Sequence, residues 1–214
     1  MNARTEKLAL QGVAGLIEAL RDTPAEGAPV QGVAVIAHPH PLFGGTMDNK
    51  VVQTLARAFV ACGWTSVRFN FRGVGASAGT HDEGRGECDD LLSVIDQVAP
   101  QGPLALAGFS FGAFVTAHAV ARLWASRQAQ QLVLVGTAAS RFAVPPLPTE
   151  AHERTLVVHG EQDDTVPLSA AMDWARPQTL PVTVVPGGGH FFHGQLPLLK
   201  NLVARHLRAD ERRV

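Results

Sequence analysis

Gly108-Phe109-Ser110-Phe111-Gly112 decides the reading of this chain, and its flanks carry more weight than the pentapeptide. Pro103-Leu104-Ala105-Leu106-Ala107 precedes it, an apolar stretch of strand length. Ala113 to Ala121 follows it, rich in helix formers. A serine between a buried strand and a helix, with a glycine two residues to either side, can be held on a very sharp turn. The turn lifts the hydroxyl clear of the backbone and sets it near the positive end of the following helix. A serine serving only as a helix cap would not need both glycines. A bare G-x-S-x-G recurs by chance; the strand–turn–helix setting makes it informative.

Outward from this stretch, strands and helices alternate. Residues 4 to 20 read as an antiparallel hairpin punctuated by Gly12 and Gly15. Gly32 to Ala37 is a continuous apolar strand, as expected of a strand covered on both faces. Asp48 or Asn49 caps a helix whose stripe is Val51, Val52, Leu55, Ala58, Phe59 and Cys62, with Gly63 beyond its end. Thr65 to Phe71 is a strand. Glu87 to Val98 is a helix striped by Cys88, Leu91, Leu92, Ile95 and Val98. Further strands are expected at Leu132–Val135, Thr155–His159 and Val182–Val185. A short helix runs from about Ser169, and a last helix from about Pro197 to Arg208. Ser140 to Glu150 is a stiff proline-rich loop. Such alternation gives a single α/β domain over 1–214, with a mostly parallel sheet and helices on both faces.

In open parallel sheets, chemistry collects outside the carboxyl ends of the strands. Four unusual segments each follow an expected strand: His38 to Gly45, Ser110, Gly160 to Asp164, and Gly187 to His190. They are therefore expected on one rim. A serine, a carboxylate and an imidazole on one rim are the parts of an activated nucleophile. The imidazole takes the hydroxyl proton, and the carboxylate orients the imidazole and stabilises its charged form.

The 214 residues suit one domain, with 46% apolar and 17% charged side chains. A formal net charge of −1 gives no global field to attract nucleic acid or an anionic membrane. The arginines Arg208, Arg212 and Arg213 are read as decorating the C-terminus. Two cysteines, Cys62 and Cys88, are expected as buried thiols rather than a bridge. The residues from Met1 to Lys7 lack an apolar signal core, and no apolar run approaches the ~18 residues of a membrane span. A cytoplasmic location is expected.

The ordered set of motifs resembles the α/β-hydrolase superfamily, most closely its small bacterial serine hydrolases without a lid, distant relatives of dienelactone hydrolases. The segments that carry the resemblance are His38 to Gly45, Asn70 to Ser77, Gly108 to Gly112, His159 to Pro167 and Gly189 to Gly194. The resemblance implies an α/β-hydrolase fold without a cap domain, Ser110 as nucleophile, Asp163 as acid and His190 as base. Dienelactone hydrolases proper carry a cysteine where Ser110 stands. The implied reaction is hydrolysis of small carboxylic esters through an acyl-enzyme, with thioester or amide cleavage as alternatives and a non-catalytic binding module as another class. Asp164 stands as the alternative acid and His193 as the alternative base. One oxyanion-hole N–H is expected from Phe111 and the other from Leu42, with Phe43 as alternative; Pro39 and Pro41 have no N–H to offer.

No metal and no cofactor is expected. His38 and His40 lack a third ligand at a recognisable spacing and are read as loop braces or pocket polarity. His159 ends a strand and is read as structural, and His81 carries no motif. Gly73-Val74-Gly75-Ala76-Ser77-Ala78 formally fits a dinucleotide fingerprint, but no helix follows to receive a pyrophosphate. It is read as a tight loop over the sheet. Residues 138 to 154 are too few for a lid, so an open pocket is expected. Phe43, Phe111, Phe142, Phe191 and Phe192 would make it apolar. The expected partner is a small-molecule ester.

Overall fold

A computed structural model describes residues 4–210. Arg212 and Arg213 lie outside the described residues. Strands β1 (Arg4–Gly12) and β2 (Gly15–Thr23) form the N-terminal hairpin. Strand β2 runs past Leu20 because it zips antiparallel onto β4 (Trp64–Phe69), with Asp22 opposite Ser66. Its backbone groups keep finding partners there.

The remaining strands are β3 (Gly32–Ala37), β5 (Leu104–Phe109), β6 (Gln131–Val135), β7 (Thr155–Gly160) and β8 (Val182–Val185). The eight-stranded sheet has the order β1-β2-β4-β3-β5-β6-β7-β8, parallel from β4 to β8. Strand β4 stops at Phe69, two residues before the expected end. The Asn70 N–H still pairs with Glu18 O on β2, but the Phe71 N–H is taken by the His38 ring, and there the chain leaves the ladder.

Helix α1 (Lys50–Ala61) and α5 (Leu196–Asp210) cover one face; α2 (Arg85–Val98) and α3 (Phe111–Leu123) cover the other. Strand β5 shows why its sequence is apolar throughout. Leu104 and Leu106 point into the core beneath α2 and α3, while Ala105, Ala107 and Phe109 point into the core beneath α1 and α5. Helix α2 begins two residues earlier than its hydrophobic stripe suggests. Glu87 reaches back to accept the Gly84 N–H at 2.8 Å and the Asp82 N–H at 2.9 Å, which caps the first turn. Helix α4 (Leu168–Ala175) ends in a short 3-10 turn at Arg176–Gln178.

Cys62 and Cys88 are buried thiols, not joined in a disulfide. Among the described residues no helix is long and apolar enough to cross a membrane. The connection from β6 to β7 contains only a 3-10 turn at Thr149–Arg154 and no inserted lid. The glycine-rich loop after β4 is tied down to β2: Ala76 N–H donates to Glu18 Oε2 and Ala78 N–H to Leu16 O. Those amides are therefore committed to the fold.

Candidate active site

Ser110 is the single residue between β5 and α3, with φ 57° and ψ −117°. A non-glycine residue there is strained by about 1–3 kcal/mol and persists only where its surroundings hold it. Here the Ser110 N–H donates to Val135 O at 2.8 Å, and its carbonyl receives the Ala113 N–H at 3.0 Å. The flanking glycines have a steric reason. A Cβ on Gly108 would lie 2.3 Å from Gly112 O, and one on Gly112 would lie 2.3 Å from Ala37 O. The turn closes only because neither residue has a side chain, and the same contact presses the start of α3 against the end of β3.

His190 reaches Ser110 from the loop after β8. Its Nε2 lies 3.0 Å from Ser110 Oγ, and its Nδ1 lies 2.7 Å from Asp163 Oδ2. The carboxylate can only accept, so Nδ1 carries the proton and Nε2 is left to accept from the hydroxyl. The loops meet closely: a Cβ on Gly160 would lie 2.3 Å from Gly188 O, and the Gln162 N–H donates to that oxygen at 2.8 Å. The Phe109 ring packs on the imidazole, with centroids 4.9 Å apart.

The other carboxylate oxygen of Asp163 accepts the Thr165 N–H at 3.0 Å and the Val166 N–H at 2.7 Å. Burial pushes the Asp163 carboxyl up. The hydrogen bonds from His190 and Val166, with the charges of His190 and His159, outweigh burial and hold it below the ordinary carboxylate range. His159 is buried and donates from Nε2 to Val166 O at 2.8 Å, so it braces the acid loop. Asp164 is exposed, near only the Thr165 hydroxyl at 3.4 Å. His193 is exposed, its ring tilted against Phe191 with centroids 6.0 Å apart. Of the alternatives read from sequence, Asp163 and His190 are the pair brought to Ser110.

The loop after β3 departs from expectation. Pro41–Phe43 is one 3-10 turn. It folds the Leu42 N–H back onto His40 Nδ1 at 3.2 Å and the Phe43 N–H onto His40 O at 3.1 Å. Both expected donors are thus engaged within their own turn, and the Leu42 side chain is 71% exposed. The N–H groups of His40 and Phe111 have no acceptor among the described residues. Register places these two together: Ala37 pairs with Gly108 in the parallel ladder, and His40 and Phe111 each lie three residues further on. Their rings are 4.8 Å apart.

His38 is a strut. Its Nδ1–H donates to Pro39 O at 2.6 Å, and its Nε2 accepts the Phe71 N–H at 3.0 Å. Burial pushes its pKa down to about 4. His81, without a motif in the sequence, lies 2.8 Å from the buried Glu87 carboxylate and 4.7 Å, ring to ring, from His40. Among the described residues no three His, Cys, Asp or Glu side chains are grouped to hold a metal ion.

A cleft of about 310 Å³ opens over Ser110. Phe43, Phe111, Phe142 and Phe191 line it, as expected. Phe192 does not: its side chain is fully buried in the core beneath α1 and α5, so only one of the two adjacent phenylalanines faces the cleft. Arg141 lines the cleft and was not legible in the sequence, because the turn that brings it there depends on Ala138 O receiving the Arg141 and Phe142 N–H groups.

Comparison with known proteins places this geometry in a family. Residues 29–154 match the model of the serine aminopeptidase S33 hydrolases. XC6422 from Xanthomonas campestris, a member of the α/β serine hydrolases without a lid, is 36% identical over 98% of this chain and 96% of that one, with a TM-score of 0.86. An α/β serine hydrolase homologue from Coxiella burnetii is 38% identical over 94% of this chain and 97% of its own, with a TM-score of 0.80. Uncharacterized protein RP471 of Rickettsia prowazekii (strain Madrid E) is 41% identical over 99 residues, which span 44% of this chain and 42% of that relative. The chain therefore belongs to the α/β-hydrolase superfamily and is a serine hydrolase without a lid.

Proposed function

We propose that the protein hydrolyses small carboxylic esters through an acyl-enzyme formed on Ser110. The observation that carries this reading is the hydrogen-bonded chain Ser110–His190–Asp163 at a strained strand-to-helix turn. Ser110 Oγ attacks the acyl carbon as His190 Nε2 takes its proton. The imidazolium then returns that proton to the leaving alkoxide. Asp163 holds the tautomer and stabilises the imidazolium. Water attacks the acyl-enzyme with His190 again as base. The oxyanion is assigned to the N–H groups of Phe111 and His40, because these are unengaged and adjacent while those of Leu42 and Phe43 are taken. Loss of one such donor costs about 2.7–4 kcal/mol of transition-state stabilisation. The open, phenylalanine-lined cleft suits short acyl groups.

A fluorophosphonate tests the reading. Expected is covalent labelling at Ser110, abolished in Ser110→Ala; folded protein that resists the reagent rejects it. A structure of the adduct tests the oxyanion assignment. The phosphoryl oxygen should lie about 3 Å from the N–H groups of His40 and Phe111; an oxygen resting on Leu42 N–H would reverse the assignment. A panel of matched ester, thioester and amide substrates separates the three bond types.

A further inference from the structure

We propose that Arg141 makes this cleft selective for esters that carry a second, anionic group, such as the free carboxylate of a half-ester. The proposal deepens the ester-hydrolase reading above and rests on it. Arg141 lines the same cleft as Ser110, His190 and Phe111. Among the described residues its guanidinium has no carboxylate partner, whereas Arg68, Arg72, Arg85, Arg122 and Arg176 each hold an aspartate. Among the described residues no Asp or Glu side chain lines the cleft. Asp163 lies behind His190 and is only 5% exposed.

The rest of the cleft has the same electrical sense. The α3 N-terminus and the unengaged amides present partial positive charge. His40 stands near enough to Arg141 to sense it: burial first, then His81 and Arg141, hold its pKa below the ordinary imidazole range against the pull of Glu87. The backbone that carries Arg141 is fixed. Its N–H bonds Ala138 O at 3.2 Å, and the next residue, Phe142, is stacked on Phe114 at 4.7 Å. An apolar substrate body can rest on Phe142 and Phe111 while its carboxylate meets the guanidinium. A free amino group, as on an aminopeptidase substrate, would meet a cation and find no acid.

The test is a matched set: ethyl hexanoate, monoethyl adipate and ethyl 6-aminohexanoate, followed in a pH-stat, with phenyl acetate and 4-carboxyphenyl acetate to place the anion on the leaving group. In the unaltered protein, kcat/KM for an anionic member should exceed that of its neutral partner roughly fivefold, the scale of an exposed ion pair. The cationic ester should be the poorest. The ratio should collapse toward one in Arg141→Gln, invert in Arg141→Glu and be partly kept in Arg141→Lys. High salt should shrink it. A ratio at or below one in both pairs overturns the proposal. So does a ratio unmoved by Arg141→Gln and Arg141→Glu, including a proportional loss of all members from misfolding. Labelling rates with a hexyl and a 5-carboxypentyl fluorophosphonate give the same ratio without turnover. Intact labelling with no anionic preference overturns this proposal alone; no labelling at all overturns the parent reading and this one together.

Discussion

His38 and His190 are both buried and both stand beyond the carboxyl end of a parallel strand, yet their partners differ in kind. Both ring nitrogens of His38 end on backbone, at Pro39 O and the Phe71 N–H. Both ring nitrogens of His190 end on side chains, at Asp163 and Ser110. Backbone groups neither give up nor take on a proton, so His38 can only tie two loops together, and burial keeps it neutral. A carboxylate and a hydroxyl can share proton movement, so His190 has a proton with somewhere to go. Burial alone does not mark a reactive histidine; the chemistry of its two neighbours does.

Replacing each histidine by alanine sharpens the contrast most. His190→Ala should lower kcat/KM by about 10⁴-fold or more, while the denaturant midpoint moves little. His38→Ala should do the reverse: it strands a buried carbonyl and a buried N–H, each worth about 1–3 kcal/mol, and should show chiefly as lost stability. Comparable activity loss in both variants would erase the distinction. The acids make a second pair. Asp163→Asn should cost about 10⁴ in kcat through the wrong tautomer, whereas Asp164→Asn should stay within roughly threefold, as expected of a surface change.

Phe191 and Phe192 extend the comparison to the cleft wall. Phe192→Ala removes a fully buried ring and should destabilise by about 3–5 kcal/mol. Phe191→Ala, at a residue 43% exposed, should act on KM with little effect on the unfolding midpoint.

A smaller effect follows from His38 titration. Its folded pKa is depressed to about 4 from an ordinary 6.5. The unfolded chain therefore binds this proton first as acid is added, and stability falls from about pH 6.5 downward until the folded form also protonates near 4. The loss is about 3 kcal/mol over that window, readable as the pH dependence of urea unfolding. His38→Phe should flatten the slope. Asp163 contributes in the same direction but lower: its depressed pKa gives stability present above the ordinary aspartate range and lost below it.

The sheet was legible where apolar runs are bounded by turn residues. Gly32–Ala37 and Val182–Val185 form strands at the expected positions. The segments placed on one rim by that reading are the ones that meet around Ser110. What escaped is what depends on loop folding. No periodicity tells that Pro41 starts a 3-10 turn and so consumes the Leu42 N–H. Nothing local separates Phe191 from Phe192, and the left-handed backbone at Phe192, φ 51°, follows no periodicity. Arg141 gave no signal because its position follows from a turn closed by Ala138. Strand ends shifted where a tertiary partner, such as Ser66 opposite Asp22, outbid local preference.

The contact between Gly112 and the carbonyl of Ala37 joins the serine turn to the neighbouring strand without a side chain between them. The N–H groups proposed above to hold the oxyanion are thus positioned by backbone packing before any substrate arrives. With no lid to swing over them, neither entry nor departure waits on a hinge. Turnover should then be governed by the acyl transfer steps themselves and be indifferent to solvent viscosity.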